Sequence, residues 1–297
     1  MMNRNNSLAS LVWKTTKGRG MSPAFFGCNQ FHIAGIVNIT PDSFSDGGQF
    51  FQTDEAVNHA LELVKDGADS IDFGAESTRA GAVPLTPEEE QERLIPVLEK
   101  FASALKSGGL ETIVAIDTYH AATAQIVLEK KLATVINDVS GGTLDPDMLH
   151  VVAHYGAGYV VGHCPYPPAV MQKYTQYDDV IEALLRYFEE RLIVLERAGV
   201  SENTLVLDPC IGFAKTAEQS LELIRHAGRF SQFGLPLYYG ISRKSFLRGY
   251  ATASIIDRDM ATQVVTAFLA QQGVGIHRVH NVAAAKRTLQ LSATLYD

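Results

Sequence analysis

Cysteine is scarce: the chain has three, Cys28, Cys164 and Cys210, and no two stand in a CxxC pair. That excludes a disulfide framework and a structural zinc site, and it suits a reducing cytoplasm. Long apolar runs are also absent. Lys, Asp, Gly or His interrupts every hydrophobic segment before the roughly 18 residues a membrane span needs, which predicts a soluble protein with no membrane partner. Basic charge is in deficit, with 25 Lys and Arg against 33 Asp and Glu for a net charge of −8. No stripe of Lys and Arg follows any segment, so nucleic acid is not an expected partner. A linker is lacking as well, and one domain is the simplest organisation. Residues 1–30 read as an N-terminal extension, flexible or packed on that domain. Arg4, Lys14, Lys17 and Arg19 there surround Leu8, Leu11, Val12 and Trp13, without the continuous apolar stretch or small-residue cleavage site of a secretory leader.

From residue 33 onward, short apolar runs alternate with longer stretches of helical periodicity. The spacing predicts eight strands, near Ile33–Val37, Ser70–Phe73, Thr112–Ile116, Thr134–Ile136, Gly158–Gly162, Thr204–Leu207, Pro236–Gly240 and Gly275–Val279. Near-continuous apolar strands separated by helices define a parallel sheet buried on both faces. Eight in succession suggest closure into a single (β/α)8 TIM barrel, although an open doubly wound sheet shares the same alternation. Thr86-Pro87-Glu88-Glu89 starts one helix with a Thr N-cap and Pro at the first position. Gly67 and Gly199 stand where helices end in a left-handed residue.

In such a barrel the reactive face lies at the carboxyl ends of the strands. Almost every predicted strand is followed by polar residues: Asn38 to Gly48, Glu76 to Gly81, Asp117-Thr118, Asn137-Asp138, His163, Asp208-Pro209, Ser242 to Ser245, and His280. Any one of them can be a helix cap or a turn residue. Together they point to one mouth. Arg79, Arg243, Lys244, Arg278 and His280 would make that mouth locally cationic in an acidic protein, as an anionic substrate requires. Asp117, Asn137 and Asp208 suit a flat nitrogen-rich heterocycle with alternating donors and acceptors. Asn38 is either a loop cap or a neutral oxygen ligand for Mg2+, a cation that otherwise keeps water and phosphate oxygens.

These strand-end segments resemble the dihydropteroate synthase family from about residue 32 onward. The matching blocks are Gly35 to Gly48, Glu76-Ser-Thr-Arg79, Ile116-Asp117-Thr118, Asn137 to Gly142, Asp208-Pro209, Gly212-Phe213, Ser242-Arg-Lys-Ser245 and Arg278-Val-His280, in the family's order. The resemblance implies a pterin-binding (β/α)8 barrel over residues 31–297. It also implies a reaction in which 4-aminobenzoate displaces diphosphate from 6-hydroxymethyl-7,8-dihydropterin diphosphate. Carried over by position, Asp117, Asn137, Asp208 and Lys244 hold the pterin, with Phe213 in the same pocket and Arg278 flanking it. Asn38 binds Mg2+, while Arg278 and His280 hold the diphosphate. Thr78, Arg79 and Ser245 form the aminobenzoate pocket, and Phe44 and Asp46 belong to a first loop that orders over the substrates. The catalytic set is then Asp46, Arg79, Lys244, Arg278 and His280, in a homodimeric, sulfonamide-target enzyme.

Six positions depart from the family pattern. Ala75, Cys210 and Ala214 stand for glycines, Ala80 for a proline, Cys164 for a methionine and Asn281 for an aspartate. Alanine for glycine is harmless where the backbone angle is ordinary, and Asn keeps a hydrogen bond. On that reading Asn281→Asp leaves turnover equal or improved, and Lys244→Ala abolishes it. Two rivals share the pterin residues: a methyltetrahydrofolate-dependent methyltransferase serving a corrinoid partner, and a pterin-binding paralogue without turnover. The first has no reason to keep both the long first loop and Ser242–Ser245.

Overall fold

A computed structural model describes residues 11–14, 31–39, 49–76, 83–252 and 254–296. Strands and helices alternate without interruption: β1 His32–Asn38, α1 Gln49–Lys65, β2 Ser70–Gly74, α2 Pro87–Gly108, β3 Ile113–Asp117, α3 Ala121–Glu129, β4 Val135–Asp138, α4 Met148–Tyr155, β5 Gly158–Gly162, α5 Val180–Arg197, β6 Leu205–Asp208, α6 Ala217–Arg225, β7 Tyr238–Gly240, α7 Ile255–Gln271, β8 Ile276–Val279 and α8 Val282–Tyr296. All strand pairs are parallel, in the order β6-β5-β4-β3-β2-β1-β8-β7. A single bridge, Leu207 to Leu237, brings β6 against the entry to β7 and closes the barrel. The closed alternative is therefore the one adopted.

Local chemistry sets the helix ends. Thr86 and Glu89 form a reciprocal capping box ahead of Pro87, and Thr216 and Gln219 form another at α6. Each box satisfies two backbone N–H groups that the helix itself leaves open. Gly67 and Gly199 have φ of 97° and 81°, the left-handed stops expected of them.

Strand side chains alternate between two apolar layers. The outward set, including Ile33, Val37, Phe73, Val114, Ile116, Val161 and Leu207, packs beneath the helices. The inward set is a separate cluster of Ala34, Ile113, Ala115, Val135, Val160, Val206, Tyr238 and Ile276, closed from below by Leu11 and Trp13. Trp13 is 1% exposed, and its Nε1 donates to the Thr204 carbonyl at 3.0 Å. Val12 and Lys14 add backbone contacts to Asn203 and Thr134. Of the N-terminal extension, residues 11–14 are thus a plug in the floor of the barrel.

Candidate active site

Period-two alternation also places the functional side chains. Asp117 follows Ile113 and Ala115 on the inward face of β3, Asn137 follows Val135 on β4, Asp208 follows Val206 on β6, and Arg278 follows Ile276 on β8. The interior of the barrel is apolar below and polar above. Asp138 takes the opposite face, where Tyr159 Oη, Ser140 Oγ and two backbone N–H groups surround its carboxylate. Several of the polar residues expected after the strands belong to the strands themselves, Asp117 pairing in register with Asn137 and Asp208 with Gly162, whereas Glu76, His163, Ser242 and His280 follow the strand ends as expected.

At the centre lies a carboxylate the sequence reading did not single out. Asp72, inward on β2, is completely buried. Its Oδ2 accepts from Arg278 Nε, from Asn137 Nδ2 at 2.9 Å and, weakly, from Tyr238 Oη at 3.5 Å. Arg278 Nη2 donates to Asp117 Oδ2 at 2.8 Å. One guanidinium thus joins two carboxylates, and pairing of this kind is what makes buried charge tolerable. The two carboxylates raise the Arg278 pKa despite its burial. Burial pushes the Asp117 carboxyl up to about 7, with Arg278 opposing and Asp72 reinforcing. The signal for Asp72 was present in Ser70-Ile-Asp-Phe-Gly74, since a carboxylate inside a buried apolar strand must find a partner.

Lys244 enters from the loop after β7. Its ammonium lies 4.1 Å from the centre of the Phe213 ring and donates to the Ile211 carbonyl. Burial brings its pKa down to about 8, against the attraction of Asp208. Asp208 itself accepts the Cys210 N–H at 2.8 Å. Ser245 is exposed at the start of a short 3-10 turn, Ser245–Gly249. His280 is held by Ser242, whose Oγ accepts the His280 N–H at 3.2 Å and lies 2.9 Å from Nδ1. That contact holds the ring through Nδ1 and leaves Nε2 free of it. Burial, Arg243 and Arg278 press the His280 pKa to about 3, so the ring is neutral at physiological pH.

Of the cations expected at the mouth, Arg79 lies outside the described residues, and most of the others are paired or neutral. Arg278 is matched by Asp72 and Asp117, Arg243 is matched by Asp259, and His280 is uncharged. Among the described residues near the mouth, Lys244 and the buried Lys215 are the ammonium groups that form no salt bridge, each contacting carbonyl oxygens instead. Asn38 is exposed at the carboxyl end of β1, opposite Gly74 in register. Phe44, Asp46, Thr78, Arg79 and Ala80 lie outside the described residues. The frame of the second loop is visible, however. Glu76 accepts the Leu85 N–H at 3.1 Å across that loop and the Tyr119 hydroxyl at 2.6 Å, with His120 Nε2 at 3.4 Å.

The departures resolve differently from one another. Ala75 has ordinary backbone angles, as a harmless alanine needs, whereas Cys210 and Ala214 have φ of 52° and 50°. The premise of an ordinary backbone fails at those two positions. Their side chains are buried with Val139, Cys164 and Met171 in a small sulfur-rich cluster edged by Tyr119, Tyr166 and Phe213. Cys164 Sγ lies 3.7 Å from Met171 Sδ, so the soft lining expected of a methionine is kept.

Fold and site together define a (β/α)8-barrel protein whose mouth gathers three carboxylates, an amide, an arginine and a lysine. Residues 34–280 match the family described as Pterin binding enzyme. The chain is 36% identical over 267 residues to the dihydropteroate synthase of Escherichia coli strain K12, covering 89% of this chain and 92% of that one. A dihydropteroate synthase structure from Clostridium difficile, obtained in the presence of pteroic acid, superposes with a TM-score of 0.82 at 36% identity, covering 90% of this chain and 97% of the other. One from Xanthomonas albilineans in complex with 7,8-dihydropteroate gives 0.77 at 31% identity, covering 90% and 94%. The chain belongs to the pterin-binding enzyme family.

Proposed function

We propose that the chain acts as a dihydropteroate synthase, a transferase that joins 6-hydroxymethyl-7,8-dihydropterin diphosphate to 4-aminobenzoate. A bond forms between the aminobenzoate nitrogen and the pterin methylene carbon as the bond from that carbon to diphosphate breaks, and the amine proton leaves. The carrying observation is the constellation of Asp72, Asp117, Asn137 and Arg278 at the carboxyl ends of four strands of this family's barrel. In this reading Asp117, Asn137 and Asp208 bind the edge of the pterin, and its N–H donors compete with Arg278 for Asp117. Lys244 fixes the ring from the side of Phe213. Neutral His280 and the unpaired edge of Arg278 bind diphosphate. Thr78, Arg79 and Ser245 are assigned to aminobenzoate and Asp46 to the first loop on resemblance alone. Positioning and electrostatics carry the catalysis, because the incoming amine is itself the nucleophile.

Mg2+ belongs to this proposal. Among the described residues no three His, Cys, Asp or Glu side chains gather as a metal cage. The donor set that fits is one exposed amide, Asn38, with phosphate oxygens and water completing the shell. When bound, the cation neutralises charge on the departing diphosphate. We also assign a homodimer. Ile256, Met260, Val264 and Phe268 recur every fourth residue of α7 and are 75%, 62%, 68% and 39% exposed, and Leu291 and Leu295 add to them from the adjoining α8. A contiguous apolar face of this kind is normally covered, here by a second copy. A sedimentation mass of one chain would remove that assignment. Buried free thiols at Cys164 and Cys210 suit the cytoplasm.

The test is direct. Purified protein receives the pterin diphosphate, Mg2+ and labelled 4-aminobenzoate, and dihydropteroate is measured. Product is expected; pterin binding without product would overturn the synthase reading in favour of a binding protein.

A further inference from the structure

The barrel is held most weakly where the site needs it most. β7 pairs with β8 over three residues, and one bridge joins its entry to β6. Beyond these short ladders run the two loops that carry Lys244 and His280. Strand pairing alone cannot fix one loop relative to the other, and a misplacement of about 1 Å in such a site costs roughly 100-fold in rate.

One carboxylate spans both loops. Asp259, on the inward side of α7, receives Arg243 Nε at 2.6 Å and Nη2 at 2.9 Å, the fork geometry that fixes orientation as well as distance. Its Oδ2 also receives Asn281 Nδ2 at 3.1 Å. Thr262, one turn further along α7, accepts the Arg243 N–H at 3.2 Å. Arg243 has a φ of 58°, a left-handed angle that a residue with a β-carbon holds only where its surroundings over-determine it. That residue sets the direction in which Lys244 leaves the backbone, and Ser242 beside it holds His280.

Asn281 explains why the carboxylate sits on α7. Its Oδ1 accepts the Ala284 N–H at 3.0 Å, capping α8, while its amide donates to Asp259. An aspartate at 281 would set two carboxylate oxygens against each other at the 3.1 Å now bridged by a hydrogen bond. We propose that Asp259 is a positioning residue for the reaction. It supplies from α7 the negative charge that the family pattern places at 281, and through Arg243 and Asn281 it fixes Lys244 and His280 relative to one another. This rests on the assignment of Lys244 and His280 to the substrate site, and it reverses the expectation that Asn281→Asp is neutral or beneficial.

The experiment is a charge-relocation cycle read as kcat and KM for each substrate. Asp259→Asn should lower kcat/KM for the pterin diphosphate by about tenfold or more while KM for 4-aminobenzoate moves less than about twofold. Asn281→Asp alone should also lose activity. The double variant, which returns one carboxylate to the pair from the other side, should recover to within about threefold of the parent, since coupled neighbours are not additive. Losses that simply multiply in the double variant, or parental kinetics in Asp259→Asn, overturn the proposal. Should Asp259→Asn fail to fold, parental activity in Asn281→Asp, which keeps Asp259, overturns it equally. Lys244→Ala in the same assay separates the two layers of the argument. Retained turnover there removes the site assignment itself, whereas lost turnover beside an unaffected Asp259→Asn removes the role of Asp259 alone.

Discussion

The two ends of the barrel solve opposite problems with the same inward-facing stripe. At the floor, Leu11 and Trp13 seal the lumen among Ala34, Ile113, Val135 and Ile276, and one polar pair is matched locally, His32 Nε2 meeting Ser70 Oγ at 2.8 Å. At the mouth, one or two inward positions higher on the strands, Asp72, Asp117, Asn137, Asp208 and Arg278 replace the aliphatic side chains. The floor gains stability from dry packing. The mouth tolerates buried charge because Asp72 and Asp117 share Arg278, and that pairing holds donors and acceptors in place before substrate arrives. Stability and function are thus divided along the barrel axis, and perturbations of the two ends should fall into two phenotypes.

The largest effect belongs to the mouth. Lys244→Ala should lower kcat/KM by about three orders of magnitude, on the order of 4 kcal/mol of transition-state stabilisation, with little change in melting temperature. Steady-state kinetics beside a thermal melt would measure both, and a variant that unfolds instead would erase the division. Trp13→Ala is its counterpart at the floor. Removing a fully buried indole and its hydrogen bond should destabilise by roughly 3 kcal/mol or more, with kcat/KM of the folded fraction close to parental. Denaturant melts would show the first. A collapse of kcat/KM in protein that remains folded would show that the plug also shapes the mouth.

Which end was legible in the sequence follows from the same chemistry. The strands stood out because parallel strands buried on both faces are short apolar runs, and seven of the eight ranges shift by a residue or two. The shift is systematic at the mouth, where apolar patterning ends at Ile116, Ile136 and Leu207 while the ladder continues through Asp117, Asp138 and Asp208. Function lies in the residues that break the pattern. Asp72 escaped notice because apolar neighbours flank it within its strand, so it did not read as a strand-end residue. Asp259 escaped because a lone aspartate on a helix reads as surface, and only the tertiary approach of α7 to Arg243 gives it a partner. Packing of the extension on the barrel is one of two readings of the sequence, and the burial of Trp13 agrees with it for residues 11–14. The three apolar residues Leu11, Val12 and Trp13 nevertheless carry no period that would mark them as a plug.

Acidity should separate stability from activity again. His277 is 1% exposed on the outward face of β8, opposite Arg278, and burial lowers its pKa from 6.5 to about 4; burial also lowers that of His32, which packs on Trp13 at the floor. The unfolded chain therefore binds more protons than the folded one between those two values, and stability falls as pH drops through 6.5 toward 4. For His277 alone the loss between pH 7 and 5 is roughly 2 kcal/mol. At the mouth the signs differ. kcat/KM for the pterin diphosphate should rise with pH through about 7 as Asp117 ionises and decline above about 8 as Lys244 loses its proton. Urea melts across pH for the parent and His277→Phe test the buried histidines, and kinetics over the same range test the mouth. Stability and kcat/KM that rise and fall together would contradict the division.

The smallest effect lies in the sulfur-lined part of the mouth. Cys210 holds a φ of 52°, a left-handed angle that costs a residue with a β-carbon roughly 1–2 kcal/mol. Glycine would relieve that strain but would bring back about 0.5–1 kcal/mol of chain entropy lost on folding, and would give up the buried thiol. Cys210→Gly should therefore change stability by no more than about 1 kcal/mol, in favour of glycine. Its contact with Val139 and the Cys164–Met171 pair suggests a second readout, because the sulfur cluster borders the pocket assigned to the pterin. If the side chain matters to the site, KM for the pterin diphosphate should move while KM for aminobenzoate stays fixed. A glycine variant that is distinctly less stable would instead mean that the thiol contributes more by packing than the backbone loses by strain. That outcome would place this part of the mouth with the floor, as a region selected for packing rather than for chemistry.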